Sequence, residues 1–200
     1  MEKVDVVVLR KLRERTGAGI SDCQVAIRQA NGNFDKAVEV LRKKGTERMI
    51  QKNSRIAKEG CIAAYIHSGG KIGVLIEVNC ETDFVARTDD FQQFAKDLTL
   101  QITATNPLYL DRDKVPPEVL AKEKEILISQ ITGKPPSIVE KILEGKLEKY
   151  YEETCLLEQL FIKDPSKRIR DYLVEVTAKL GEKIVIQRFV RFQLGETQEA

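Results

Sequence analysis

Between positions 71 and 79 apolar and polar residues alternate without a break. Ile72, Val74, Ile76 and Val78 fall on one side of a pleat and Gly73, Leu75, Glu77 and Asn79 on the other, which predicts a half-buried strand. The period then changes. Phe91, Phe94, Ala95, Leu98 and Ile102 recur at three and four residues, so they lie along one stripe of a helix. That helix, about 88–105, must end ahead of Pro107, because the residue before a proline is driven out of helical space. The change of period leaves a junction at 80–87. A loop held at both ends by rigid elements can present side chains to a partner with little loss of order. On periodicity alone Phe84 has two readings. A helix running unbroken through Arg87 would put it in phase with Phe91 and Ala95 as core, and a break would leave it as an exposed anchor.

Upstream, Val4, Val8 and Leu12 mark a short helix whose other face carries Arg10, Lys11, Arg13 and Glu14. It stops at the turn 16–19. Ser21 to Gln24 matches a capping box, with Ile20 placed to staple onto Val25. Asn33 is placed to cap a third helix bearing Phe34, Ala37, Val38 and Leu41, which Gly45 closes. The result is a three-helix bundle over 1–45. Residues 46–59 carry a basic surplus through Arg48, Lys52, Arg55 and Lys58 and no aromatic residue, and read as a solvated helical linker.

Positions 61–67 alternate again and, through Ser68, Gly69 and Gly70, predict an antiparallel hairpin with 71–79. Pro116 and Pro117 open one helix, with Leu120, Ile126, Leu127 and Ile131 in phase and Gly133 as its stop. Pro135 and Pro136 open another, through Ile138, Ile142, Leu143 and Leu147 to about 151. After a short apolar segment at 155–162, Asp164 to Ser166 is expected to begin a last helix carrying Ile169, Leu173, Val176 and Leu180, stopped by Gly181. Positions 184–194 read as a third strand beside the hairpin. The expected class is α+β. The three-helix bundle precedes a core at 60–195, made of a small antiparallel three-stranded sheet with helices on one face and followed by a tail at 196–200.

Composition narrows the function. With 200 residues, 42% hydrophobic and 32% charged, the chain is apolar enough to bury a core. No run approaches the roughly 20 apolar residues that cross a bilayer, and the acidic residues of the first helix are unlike a targeting segment, so a cytoplasmic protein is expected. A net charge of +2 is too small to argue for phosphate-backbone binding. Cys23, Cys61, Cys80 and Cys155 form no paired motif and sit in apolar or alternating stretches, as reduced thiols would.

Catalytic chemistry is not legible. Ser68-Gly69-Gly70-Lys71 lacks the leading glycine of a phosphate-binding loop, and Ile72 stands where a hydroxyl is needed. Cys80 with His67 would be the one nucleophile pair, but Glu81 and Asp83 beside the thiol raise its pKa rather than lower it. His67, the single histidine, reads as a solvated strand-end residue. Metal-ligand spacing is absent.

Leu12 to Gly19 (LRERTGAG) followed by Asp22-Cys23, then Leu41-Arg42 with Gly45, Glu77 to Arg87 (EVNCETDFVAR) and Arg191 to Gly195 (RFQLG) resemble the elongation factor Ts family over nearly the whole chain. The resemblance implies that the bundle at 1–45 is UBA-like and that the chain is a non-enzymatic guanine-nucleotide exchange factor for elongation factor Tu, without a cofactor or metal of its own. It implies that Thr82, Asp83, Phe84 and Val85 intrude on that GTPase, the Phe84 ring wedging between helices, Asp83 contacting polar groups nearby and the Mg²⁺ site being dislocated. Arg13 and Ile20 match N-terminal positions that contact the same GTPase domain, although Ser21 stands where some members carry methionine. Long members repeat the core. A single copy in 200 residues implies a homodimer and a 2:2 complex, with the sheet and last strand as contact surfaces, and neither a membrane nor a nucleic-acid partner. The competing reading is a ribosome- or RNA-associated adaptor using the basic linker, whose binding would weaken steeply with salt.

Overall fold

A computed structural model of the chain describes residues 6–52, 54–131 and 135–196. Val4, Gly133, the Arg48 side chain and positions 197–200 of the tail, all named above, lie outside the described residues.

Three helices open the chain: α1 (Val6–Thr16), α2 (Ile20–Gln29) and α3 (Phe34–Lys52). Their apolar stripes meet in one cluster built on Leu12, Cys23, Ala26, Ile27, Ala37 and Leu41. Asn33 caps α3 as its sequence suggests, its Oδ1 accepting from the Lys36 amide at 3.0 Å. The capping box at Ser21 does not form. Helix α2 starts two residues earlier, with Gly19 at the cap and no side-chain cap bond, so Ser21 is already inside the first turn. Asp22 instead holds the bundle together by accepting from Lys44 Nζ at 2.6 Å.

The expected stop at Gly45 is also absent, and α3 runs on to Lys52. A Cβ at Gly45 would lie 2.9 Å from Val174 Cγ1 and 3.9 Å from Ala178 Cβ. Gly45 therefore permits the close approach of a second helix rather than ending its own. That second helix is α8 (Ile169–Leu180), so the bundle is seated on the core.

The sheet has the order β1 (Glu59–Ile66), β2 (Ile72–Cys80), β5 (Val185–Gln193), all antiparallel. The register shifts between Glu77 and Val78, leaving Gln187 without a partner across from β2. Val74, Ile76, Val78 and Cys80 point to one face, where they join Ile184 and Ile186 against Phe91, Phe94, Leu98 and Ile102 of α5 (Asp89–Thr105) and Leu173 and Val176 of α8. Asn106, in the left-handed region at φ 46°, ends α5 directly before Pro107. The alternation in β2 is thus a core face and an open face, with the helices on the core side only.

Helices α6 (Pro117–Ser129) and α7 (Pro136–Thr154) pack on each other beyond α5. Arg112 ties α7 to the core by donating to both oxygens of Glu148 (2.6 and 2.7 Å) and of Glu158 (2.9 and 3.0 Å). Glu158 is only 2% exposed and is further paired with Arg170 and Arg168. The Arg112 guanidinium, followed by the charges of Arg170 and Arg168, holds its carboxyl below the ordinary range despite burial.

The last helix begins later than its sequence suggests. Asp164–Arg168 forms a strand, β4, paired with β3 (Leu160–Phe161), and α8 starts only at Ile169. Asp164 accepts from the Ser166 amide and hydroxyl at 3.2 and 2.6 Å, a local turn that competes with helix initiation. Lys163, in the turn between the strands, reaches the buried carboxylate of Asp97 at 2.6 Å, which also accepts from Tyr172 Oη at 3.0 Å. The phase of Ile169, Leu173 and Val176 survives, and all three are buried.

Candidate functional site

The junction after β2 is a strand, one helical turn and a second helix in ten residues. Thr82 caps α4 (Asp83–Ala86), its hydroxyl accepting from the Val85 amide at 3.3 Å. Thr88 then caps α5, accepting from the Phe91 amide at 3.4 Å and donating to the Val85 carbonyl at 2.7 Å. The two caps break what periodicity alone would allow as one helix. Phe84 is therefore rotated out of the Phe91 stripe.

Phe84 is 77% exposed. The neighbours on the same turn do the opposite: Val85 and Ala86 are each 6% exposed and belong to the core cluster. Val85 was expected among the contact residues, and the structure places its side chain inward, where it anchors the turn instead of offering surface. Gln92 Nε2 donates to the Ala86 carbonyl at 2.7 Å, closing the turn from the other side. Asp83 is exposed and accepts from Arg87 at 2.9 Å. An exposed pair of this kind contributes well under about 1 kcal/mol, so a partner can displace Arg87 at little cost.

Residues that no periodicity marks hold the junction from below. Glu182, just past the left-handed cap Gly181 of α8 (φ 76°), accepts from the Glu81 amide at 3.1 Å, the Thr82 amide at 3.0 Å and the Thr82 hydroxyl at 2.7 Å. Glu81 returns the contact, accepting from the Lys183 amide at 2.6 Å and from Arg55 at 3.3 Å. Burial opposes ionisation of Glu81, and the Lys183 amide and Arg55 guanidinium outweigh it, leaving the carboxyl below its ordinary range. Glu182 and Lys183 lie about a hundred residues from their partners and Arg55 lies 26 from Glu81, which is why no local pattern signals them.

Arg13 and Ile20 are exposed on either side of the turn between α1 and α2. A hollow lined by Arg13, Gly17 and Gly19 also takes in Asp90 and Lys179, and Lys179 pairs with Asp90 at 2.6 Å. Arg13 and the first turn of α5 thus open onto the same hollow, which Ile20 does not line.

Cys80 and His67 lie at opposite ends of the hairpin. Glu59 pairs with Cys80 at one end of the β1–β2 ladder and His67 follows its other end, so the two cannot act together. Burial, followed by Glu182, pushes the Cys80 thiol up to about 11. His67 is exposed and Nδ1 lies 3.2 Å from Tyr65 Oη. Among the described residues no group of His, Cys, Asp and Glu is arranged to hold a metal. No helix there is long and apolar enough to cross a membrane.

The class that the fold defines is an α+β protein whose strand-to-helix junction displays one exposed aromatic side chain on a turn anchored in the core. Comparison with known proteins names the family. The model of the family described as elongation factor TS matches residues 20–196. Elongation factor Ts of Thermodesulfovibrio yellowstonii is 55% identical over 193 residues, 96% of each chain. That of Carboxydothermus hydrogenoformans is 56% identical over 191 residues, 94% of this chain and 88% of its own. That of a Thermotoga species is 53% identical over 197 residues, 98% of this chain and 99% of its own. The chain belongs to the elongation factor Ts family and is a translation elongation factor.

Proposed function

We propose that the chain is the guanine-nucleotide exchange factor for elongation factor Tu, a cytoplasmic protein that is not itself an enzyme. The observation that carries this reading is the exposure of Phe84 on a turn whose other side is locked into the core. A ring so held loses little conformational freedom when it enters a groove, and buried aromatic anchors dominate the energetics of protein contacts. A GTPase holds its nucleotide largely through the phosphates and Mg²⁺. A ring pushed between the helices beside that site, with Asp83 engaging polar groups near it, weakens the hold and GDP leaves. Thr82 and Val85 serve by fixing the turn, while Arg13 and Ile20 make a second contact. Linkage is reciprocal, so bound nucleotide weakens the grip of the factor by the same ratio and the ternary state is transient.

The open face of the sheet supports a homodimer and hence a 2:2 complex. Ile62, Ala64 and Ile66 of β1, Leu75 of β2 and Val190 and Phe192 of β5 share that face by register, and Ile62, Ile66, Leu75 and Phe192 are exposed. A contiguous apolar patch of this kind marks an interface, and two such faces can stack as a sandwich. The exchange reading is tested by the release of fluorescent GDP from elongation factor Tu with and without the chain. Acceleration that saturates with concentration is expected, and an unchanged release rate refutes it.

A further inference from the structure

The clasp beneath the Phe84 turn carries an inference that rests on the exchange reading and deepens it. Strands β2 and β5 end their ladder at Asn79 and Val185. Beyond that end the two chains stay joined by side chains. The Glu182 carboxylate takes both amides at 81 and 82 and the Thr82 hydroxyl, while the Glu81 carboxylate takes the Lys183 amide. Arg55, in the segment joining α3 to β1, donates to Glu81, and its carbonyl accepts from Lys183 Nζ at 3.0 Å. Three separate stretches of chain therefore converge under one four-residue helix.

So short a helix has no stability of its own, because one turn does not offset the cost of nucleation. Its direction must be imposed from outside. Thr82 is the point where it is imposed: its hydroxyl donates to Glu182 and at the same time accepts from the Val85 amide. Donation to a carboxylate strengthens the same hydroxyl as an acceptor. The charge of Glu182 is in this way transmitted through Thr82 to the first turn of α4.

We propose that Glu182 is a positioning residue for exchange, holding α4 at the angle from which Phe84 projects without itself touching the partner. The amides of Glu81 and Thr82 otherwise have only water to accept from them, and the turn samples orientations in which the ring cannot enter. When the competent orientation falls to about a tenth of the population, the apparent affinity falls about tenfold, while the rate at saturation is unchanged because binding selects the competent form.

The test measures fluorescent GDP release from elongation factor Tu over a range of factor concentrations, for the wild type, Glu182→Ala, Phe84→Ala and the double variant. Amide hydrogen exchange of the factor alone is followed alongside. Glu182→Ala is expected to raise the half-saturating concentration about tenfold and leave the saturating rate within about twofold. Exchange at the Val85 and Ala86 amides is expected to accelerate, with Leu98 and Ile102 in α5 unchanged. The double variant should fall no more than about threefold below Phe84→Ala, since without the ring only the exposed Asp83 contact is left to misdirect. A general loss of structure would instead impose the full tenfold loss again in the Phe84→Ala background, and that result overturns the proposal. Should Glu182→Ala not fold, Glu182→Gln, which keeps one acceptor oxygen and loses the charge, must move both readouts the same way by about threefold; unmoved values overturn the proposal. A wild type and a Phe84→Ala variant that behave as the exchange reading requires, with an unaffected Glu182→Ala, overturn positioning alone. A wild type that does not accelerate release overturns the exchange reading and the positioning role with it.

Discussion

If the proposed exchange role holds, truncating Phe84 to alanine should separate folding from exchange. Phe84 is 77% exposed in the free chain. A phenylalanine that becomes buried removes about 150–200 Å² from water, so roughly 120–150 Å² is left for a partner to cover. At about 25 cal/mol per Å² this is about 3–4 kcal/mol. Alanine retains a little of the contact, so the expected loss is about 2–4 kcal/mol, the range of an interface hot spot. Each 1.4 kcal/mol is tenfold, so exchange efficiency should fall by about 30- to several hundredfold. The quarter of the residue already covered contributes only about 1 kcal/mol to folding. Alanine also returns about half of that through helix propensity. The melting temperature should accordingly move by no more than about 2–4 °C. Thermal melts and stopped-flow release of labelled GDP measure the two sides independently. Release that stays within twofold of wild type, with the fold intact, would refute the wedge.

Gly45→Leu should cost about 1–3 kcal/mol in chemical denaturation, because its side chain meets Val174 on α8 where even a Cβ lies too close; a variant as stable as wild type would show that α3 and α8 do not pack there. Glu158→Gln should destabilise the chain by about 3 kcal/mol at pH 7, toward the lower end for a buried pair because its arginines reach solvent. The Glu158 carboxyl is held down in the folded state, so its stabilisation is whole above the unfolded value near about 4.3 and is lost as pH falls. The variant should therefore show a shallower acid decline than wild type, and parallel declines would contradict this. Ile62→Asp with Leu75→Asp, on the open sheet face, should convert a dimer to a monomer in sedimentation at micromolar concentration; a wild type that is already monomeric there removes the 2:2 complex.

Much of the fold could be read from local pattern, because each signal was local. The two-residue period of β2, the three-to-four spacing in α5 and the prolines opening α6 and α7 each reflect one element meeting one core. The readings that failed were those in which a local signal had a tertiary competitor. Gly45 looks like a helix stop because glycine commonly is one, yet Val174 across the interface gives it a different use. Asp164 to Ser166 resembles a helix start, but the pairing of Asp164 with Phe161 and of Arg168 with Leu160, and the reach of Lys163 to Asp97, make it part of a strand.

The candidate site divides in the same way. Its address between positions 80 and 87 was legible as a change of period, and family resemblance named Phe84 within it. Whether that ring faced inward or outward was undetermined by periodicity, since both phases were allowed. Two threonine caps in succession turned it outward, and a carboxylate a hundred residues downstream braced the turn. Periodicity reports which face of an element meets a core; the direction of a single exposed side chain depends on contacts between distant segments, and those exist only once the chain has folded.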